Sequence, residues 1–332
     1  MYEEDHHRDL LISSRLLDNL TNPALLFFLL GIFASQVKSD LKIPDNSSKF
    51  ISIYLLLSIG FKGGQELAHS ALDGEIIWSM LLGIFLALIV PLYTFFILKT
   101  KLSIDNAGAI AAAYGSVSAV TFVTAISFLD FEQVSYNGHM IAVMALMEAP
   151  AIIVGVLLIN LCAKEKYTNA SMPSIIKHSL NNASVLLILG SMVIGFLASE
   201  EQAEGIRPFT TDIFKGFLAV FLLDMGITAG AQIKSLFKNG VFVVVFSTVI
   251  PFINGLLALY FASLLTNSAG NMLLFALLGA SASYIAVPAA MKNAVPSANP
   301  GLYLPMALGI TFPINVIIGI PFYYMIITHF VI

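Results

Sequence analysis

Ten stretches of the chain are almost free of charge and approach or exceed the ~20 apolar residues that a membrane-spanning helix needs. They run over about 22–38, 49–69, 75–98, 103–129, 136–163, 182–199, 209–231, 239–265, 270–292 and 301–330. Most connections between them are short. They carry turn residues, as in Ile43-Pro44-Asp45-Asn46 and Pro296-Ser297-Ala298-Asn299-Pro300. The longest polar interval, Lys164 to Asn181, separates two sets of five stretches, 22–163 and 182–332, and residues 1–21 form a polar tail. The pattern predicts an all-α polytopic membrane protein with ten transmembrane helices.

Five crossings are an odd number, so the second set must enter from the opposite face and any internal repeat is inverted. Such a repeat is visible. Leu55-Leu56-Leu57-Ser58-Ile59-Gly60 aligns with Phe221-Leu222-Leu223-Asp224-Met225-Gly226, and Val90-Pro91-Leu92 with Ile250-Pro251-Phe252. Gly115-Ser116-Val117-Ser118 aligns with Gly279-Ala280-Ser281-Ala282, and Glu148-Ala149-Pro150 with Thr311-Phe312-Pro313. All four landmarks keep the same order.

Two apolar stretches carry a run of small residues that lipid contact does not require. These are Ala113-Tyr114-Gly115-Ser116-Val117-Ser118-Ala119-Val120-Thr121 and Leu278-Gly279-Ala280-Ser281-Ala282-Ser283-Tyr284. Glycine lets the chain leave helical geometry and lets another backbone or a ligand come close. Serine caps a helix that restarts. The pattern predicts that the fourth and ninth helices are broken. Two restarted helix ends then offer amide donors to a small anion, and carbonyls and hydroxyls at the same breaks suit a hard cation. The plainer reading of Gly, Ala and Ser at such spacing is close helix packing with no site.

Charge adds orientation and candidates. One set of loops holds eleven lysines (38, 42, 49, 99, 101, 164, 166, 177, 234, 238 and 292), and the other holds only Arg8, Arg15 and Arg207. Cytoplasmic loops carry such an excess, so both termini are predicted extracytoplasmic. Inside the apolar stretches lie Lys62, Glu66, Glu148, Lys215 and Asp224. Buried charge in a membrane faces a cavity or a partner. Glu148 and Asp224, nearest the middles of their stretches, are candidates for a cation site or for carrying protons. Glu66 reads as solvated, and Lys62 and Lys215 as snorkelling. The six histidines show no ligand spacing, and Trp78, Tyr93, Tyr323 and Tyr324 read as interfacial anchors.

Composition agrees with a membrane protein. Of 332 residues, 58% are hydrophobic and 11% charged, against about 25% charge in soluble domains. The one cysteine, Cys162, excludes an internal disulfide and a cysteine metal cluster. No basic run suggests nucleic acid, and no catalytic motif such as Gly-x-Ser-x-Gly or His-Glu-x-x-His suggests an enzyme. The start of the chain lacks the apolar run of a signal peptide.

With these residues in view, the sequence resembles the sodium-dependent bicarbonate transport family. The resemblance rests on Gly60-Phe61-Lys62-Gly63-Gly64, the Tyr114–Thr121 block, Met147-Glu148-Ala149-Pro150-Ala151, Leu222-Leu223-Asp224-Met225-Gly226 and Pro296-Ser297-Ala298-Asn299-Pro300. It covers about Asn22 to Tyr324. It implies two inverted five-helix repeats, a core that moves against a scaffold, a homotrimer, and bicarbonate with sodium between the broken helices. By position it implies substrate contacts from Gly115, Ser116, Ser118, Gly279, Ser281 and Ser283. Ser118, Thr121, Glu148, Asp224 and Ser283 are the candidates for sodium or coupling. Cyanobacterial members have an aspartate after the position of Ser283 and a glycine three residues later, where this chain has Tyr284 and Val287. They also have a longer central loop read by a trimeric PII-like regulator, and the short loop here argues against that partner.

The expectation is a sodium-coupled importer of bicarbonate in the inner membrane. The alternatives are a proton- or sodium-coupled carrier of another small anion or carboxylate, and a membrane sensor that does not transport.

Overall fold

The computed structural model describes residues 22–69, 74–162, 183–236 and 240–331. The tail 1–21, the linker 164–181 and Lys238 lie outside the described residues, and with them His6, His7, His178 and five of the loop cations that set the expected orientation. The first half holds α1 (Pro23–Gln36), α2 (Asp45–His69), α3 (Gly74–Leu98), α4 (Ile104–Gly115), α5 (Ala119–Phe131) and α6 (His139–Cys162). The second holds α7 (Ala183–Leu197), α8 (Glu200–Arg207), α9 (Phe214–Leu236), α10 (Val241–Ser263), α11 (Ala269–Ala280) and α12 (Ala286–Ala294). The last apolar helix is α13 (Pro300–His329), whose turns widen to π geometry at Ala307–Thr311 and Asn315–Gly319. Pro305, Pro313 and Pro321 recur every eight residues there, and each lacks the amide that would bond four residues back.

Among the described residues the fold is entirely helical, and six helices are long and apolar enough to cross a membrane. They span Gly74–Leu98, Ile104–Phe131 (counted across its break), His139–Cys162, Glu200–Gln232, Val241–Ser263 and Pro300–His329. The described parts of α1 and α7 are shorter, at 14 and 15 residues. Polar caps fix the starts. Asn22 accepts the Ala24 amide at 2.9 Å with Pro23 in the first turn, and Asn299 accepts the Gly301 amide at 2.9 Å with Pro300 beside it.

Two helix pairs pack most closely, α1 with α9 and α2 with α7. In α2, Gly60 and Gly64 lie against the carbonyls of Ile188 and Met192 on α7. In α9, Gly226 and Gly230 lie against the carbonyls of Phe28 and Ile32 on α1. The glycines of the two pairs stand 166 residues apart, and the carbonyls they meet stand 160 apart. The same crossing is thus made twice, once by each half. Small residues permit it, because membrane helices associate through close backbone contact rather than a hydrophobic drive.

The remaining helices pack as α3 on α4 and α6, and α10 on α11. Two asparagines tie the halves together. Ser103 caps α4, and three residues on, the Asn106 side-chain oxygen accepts the Asn299 amide at 2.8 Å. Ser268 caps α11, and three residues on, the Asn271 side-chain oxygen accepts the Asn137 amide at 2.8 Å. Each cap and each asparagine recurs after 165 residues. Asn271 is fully buried and also donates to Glu75 and to the Asn137 side chain.

Three aromatic expectations change. Tyr323 is fully buried and its hydroxyl donates to the Pro251 carbonyl at 3.3 Å, so it is a core residue and not an interfacial anchor. Tyr93 is half-buried and donates to the Asn254 side chain. Tyr324 is half-buried and stacks edge-on against Phe128. For Tyr93 and Tyr323 the chain supplies the hydroxyl partner that water would otherwise provide. Trp78 does stand exposed. Lys215 and Glu66 are exposed, and Lys62 is half-buried with its ammonium 5.9 Å from the Phe214 ring centre. His139 is buried against Ser79, 3.2 Å from its hydroxyl.

Candidate functional site

Both small-residue runs interrupt their helices. α4 stops at Gly115, and Ser116 turns extended at φ −87°, ψ −173°. α11 stops at Ala280, and Ser281 turns extended at φ −83°, ψ 168°. Backbone groups freed inside a membrane must find partners, and each break supplies them to the other. The Ser283 amide donates to the Ala113 carbonyl at 2.8 Å, and the Ser118 amide donates to the Ser281 hydroxyl at 3.0 Å. Asn315 on α13 donates to the Ala280 carbonyl at 2.7 Å. The two interruptions, far apart in sequence, are one structure.

A serine hydroxyl accepts an early amide of each restarted helix, Ser118 as the cap of α5 and Ser283 from two residues ahead of Ile285, where α12 begins. The Ser118 hydroxyl accepts the Thr121 amide at 3.2 Å, and the Ser283 hydroxyl accepts the Val287 amide at 3.3 Å. A helix leaves its first amides without internal partners and carries partial positive charge there. The first turns of α5 (Ala119, Val120) and α12 (Ala286) line a common cavity, together with Ser118, Ser283 and Tyr284. Met144, Ala145 and Glu148 of α6 complete that wall. The facing wall comes from α2, α7 and α9, through Leu55, Leu56, Ile188 and Phe221, with Ser52 and Ser184 also lining it. The cavity measures about 30 Å³, which is room for a guest of water-like dimensions or a small ion. None of the lining residues is a lysine or arginine.

The candidate residues divide into three groups. Ser118, Ser283 and Glu148 line the cavity. Gly115, Gly279, Ser116, Ser281 and Thr121 lie behind it. Gly115 packs on Pro91, and a β-carbon on Gly279 would stand 2.8 Å from the Asn254 carbonyl oxygen and 2.7 Å from the Ala258 β-carbon. The glycines therefore admit a neighbouring helix. Ser281 is spent on the Ser118 amide and the Leu278 carbonyl. Ser116 and Thr121 differ. Their hydroxyls are buried and form no hydrogen bond. Buried hydroxyls almost always find partners, and two orphaned oxygens beside one break suit a hard cation that takes oxygen ligands. Asp224 stands apart from the cavity lining on α9, half-buried, and accepts the Ser48 hydroxyl at 2.5 Å.

The sequence reading missed the facing wall and the asparagine ties. The wall residues are ordinary Leu, Ile and Phe, and nothing local marks them. The ties did leave a signal, a capping serine followed three residues later by asparagine at the head of both broken helices.

A cavity walled by two interrupted helices within a bundle of apolar helices is the construction of a multi-pass membrane transporter. The chain belongs to the Na+-dependent bicarbonate transporter superfamily, whose model matches residues 23–328. No curated protein gives a significant match to the sequence. Membership in a transporter family also makes the protein a non-enzyme.

Proposed function

We propose that the protein imports bicarbonate across the inner membrane by coupling it to inward sodium movement. The observation that carries this reading is the mutual bonding of the two breaks beside one small cavity. Amide ends and serine hydroxyls there suit an oxyanion. The orphaned Ser116 and Thr121 oxygens suit the sodium ion. An anion held near the midplane opposes a negative-inside potential of ~2.3 kcal/mol per charge per 100 mV, and an accompanying cation cancels that cost.

The reading includes ten transmembrane helices in two inverted repeats, 22–163 and 182–332, joined by a cytoplasmic linker at 164–181. The twice-made glycine crossing and the twice-made asparagine tie support it. The pairs α1–α9 and α2–α7 form a scaffold, and the helices bearing the breaks form a core that slides along it. The cavity lies at the seam between these groups, where such motion carries a guest across. The lysine-rich loops support termini on the extracytoplasmic side. Assembly as a trimer rests on the family resemblance.

A second reading couples the same anion, or a small carboxylate, to protons through Glu148. It is favoured by the position of that carboxyl on the cavity wall. Labelled-anion uptake into proteoliposomes, across a panel of anions and with sodium present or replaced by choline, separates the two. Sodium-driven bicarbonate entry that falls to background in choline is the expected result. Uptake that ignores sodium, collapses with the proton gradient and is lost in Glu148→Gln would replace the sodium reading with the proton one.

A further inference from the structure

The two breaks are unequal. α5 restarts three residues after Ser116 begins the first break, whereas α12 restarts five residues after Ser281 begins the second. Tyr284 sits in that longer linker. Its ring is 8% exposed and stacks edge-on against Phe312, with centroids 5.8 Å apart and planes at 67°. It lines the cavity with Ser118, Ser283 and Glu148. Its hydroxyl faces Ser118 but closes no hydrogen bond of ordinary geometry. Phe312 holds the ring, so the phenol oxygen stays buried on the cavity wall beside Ser118, short of a full hydrogen bond. That is costly unless a guest completes the bond.

The neighbouring serines sharpen the point. Ser118 and Ser283 each spend a lone pair on an early amide of the helix that follows, which leaves each O–H to donate. Three hydroxyls on the side of the breaks, Ser118, Ser283 and Tyr284, therefore face one cavity that has no lysine or arginine in its lining.

We propose that Tyr284 determines specificity in this carrier, its phenol O–H donating to one oxygen of a small trigonal oxyanion whose other oxygens are held by Ser118 and Ser283. This rests on the cavity being the transport site. Discrete donors favour an anion with separate oxygen atoms over a spherical halide, so the site discriminates bicarbonate, formate and nitrate from chloride by direction, all four being monoanions.

The test is Tyr284→Phe, which keeps the ring and its stacking on Phe312 and removes only the phenol oxygen beside Ser118. The variant is expected to melt with the parent chain. In proteoliposomes at saturating sodium, its KM for labelled bicarbonate should rise about 10- to 100-fold, the loss expected for one buried bond to a charged group. Competition by nitrate and formate should weaken toward that of chloride, with the half-saturating sodium concentration unchanged. An unchanged bicarbonate KM in a variant that still transports would remove Tyr284 from the account and leave the transport reading intact. A KM that rises in step with the sodium requirement would assign Tyr284 to the cation instead. A parent chain that moves no oxyanion would overturn both readings.

Discussion

Ser118→Ala and Ser283→Ala each reduce sodium-dependent anion uptake by about 10- to 100-fold, and together they bring it to background, while the protein still inserts and folds. The magnitude follows from the loss of one hydrogen bond to an ion in a buried site, about 1.5–3 kcal/mol per serine. The structural loss is smaller. Ser118 caps α5 through Thr121, and Ser283 accepts the Val287 amide in the first turn of α12; losing such a bond costs about 1 kcal/mol. The Ser118 amide keeps its bond to Ser281, and the Ser283 amide keeps its bond to Ala113. Transport should therefore fall much further than melting temperature. Two variants that transport normally would take the cavity out of the mechanism.

Gly64→Val should prevent stable folding. A β-carbon on Gly64 would overlap the Met192 carbonyl oxygen and stand 2.7 Å from the Phe196 amide nitrogen. Both are backbone atoms of α7, so no side chain can turn aside. α2 and α7 must separate, at a cost of about 3 kcal/mol or more. Gly226→Val should act alike, because it strikes the Phe28 carbonyl at the matching crossing of α9 with α1. Gly190→Ala is the control. It has no atom within 4 Å of the new carbon, and alanine is about 1 kcal/mol better than glycine in a helix. Thermal melting of the purified variants orders them. A Gly64→Val protein that melts with the parent chain would mean that the α2–α7 crossing contributes little.

The fold was legible in the sequence where backbone physics leaves few choices. A membrane forces apolar stretches to be helical, and small residues in mid-stretch, followed by serine, marked both breaks. What stayed hidden was the residues that act through distant partners. Ser116 and Ser118 look alike in sequence. One keeps its hydroxyl orphaned behind the cavity and the other lines it. Gly115 and Gly279 were open to a ligand or to another backbone, and the neighbours that come close to them are α3 and α10. Asp224 and Glu148 were equal candidates as mid-stretch acids. Only tertiary packing separates the first, bonded to Ser48, from the second on the cavity wall. Tyr323 read as an interfacial anchor because its end-of-helix position resembles one, and it became core because Gly255 leaves space for its ring.

The central claim is that one site at the paired breaks holds cation and anion together. Equilibrium binding of sodium to the purified protein, with and without bicarbonate, tests it most directly. The account predicts that bicarbonate tightens sodium and that sodium tightens bicarbonate by the same factor, about 5- to 150-fold for couplings of this kind. It also predicts that the coupling disappears in the Ser118→Ala, Ser283→Ala double variant. Sodium binding that is indifferent to bicarbonate, or coupling that survives the double substitution, would contradict it.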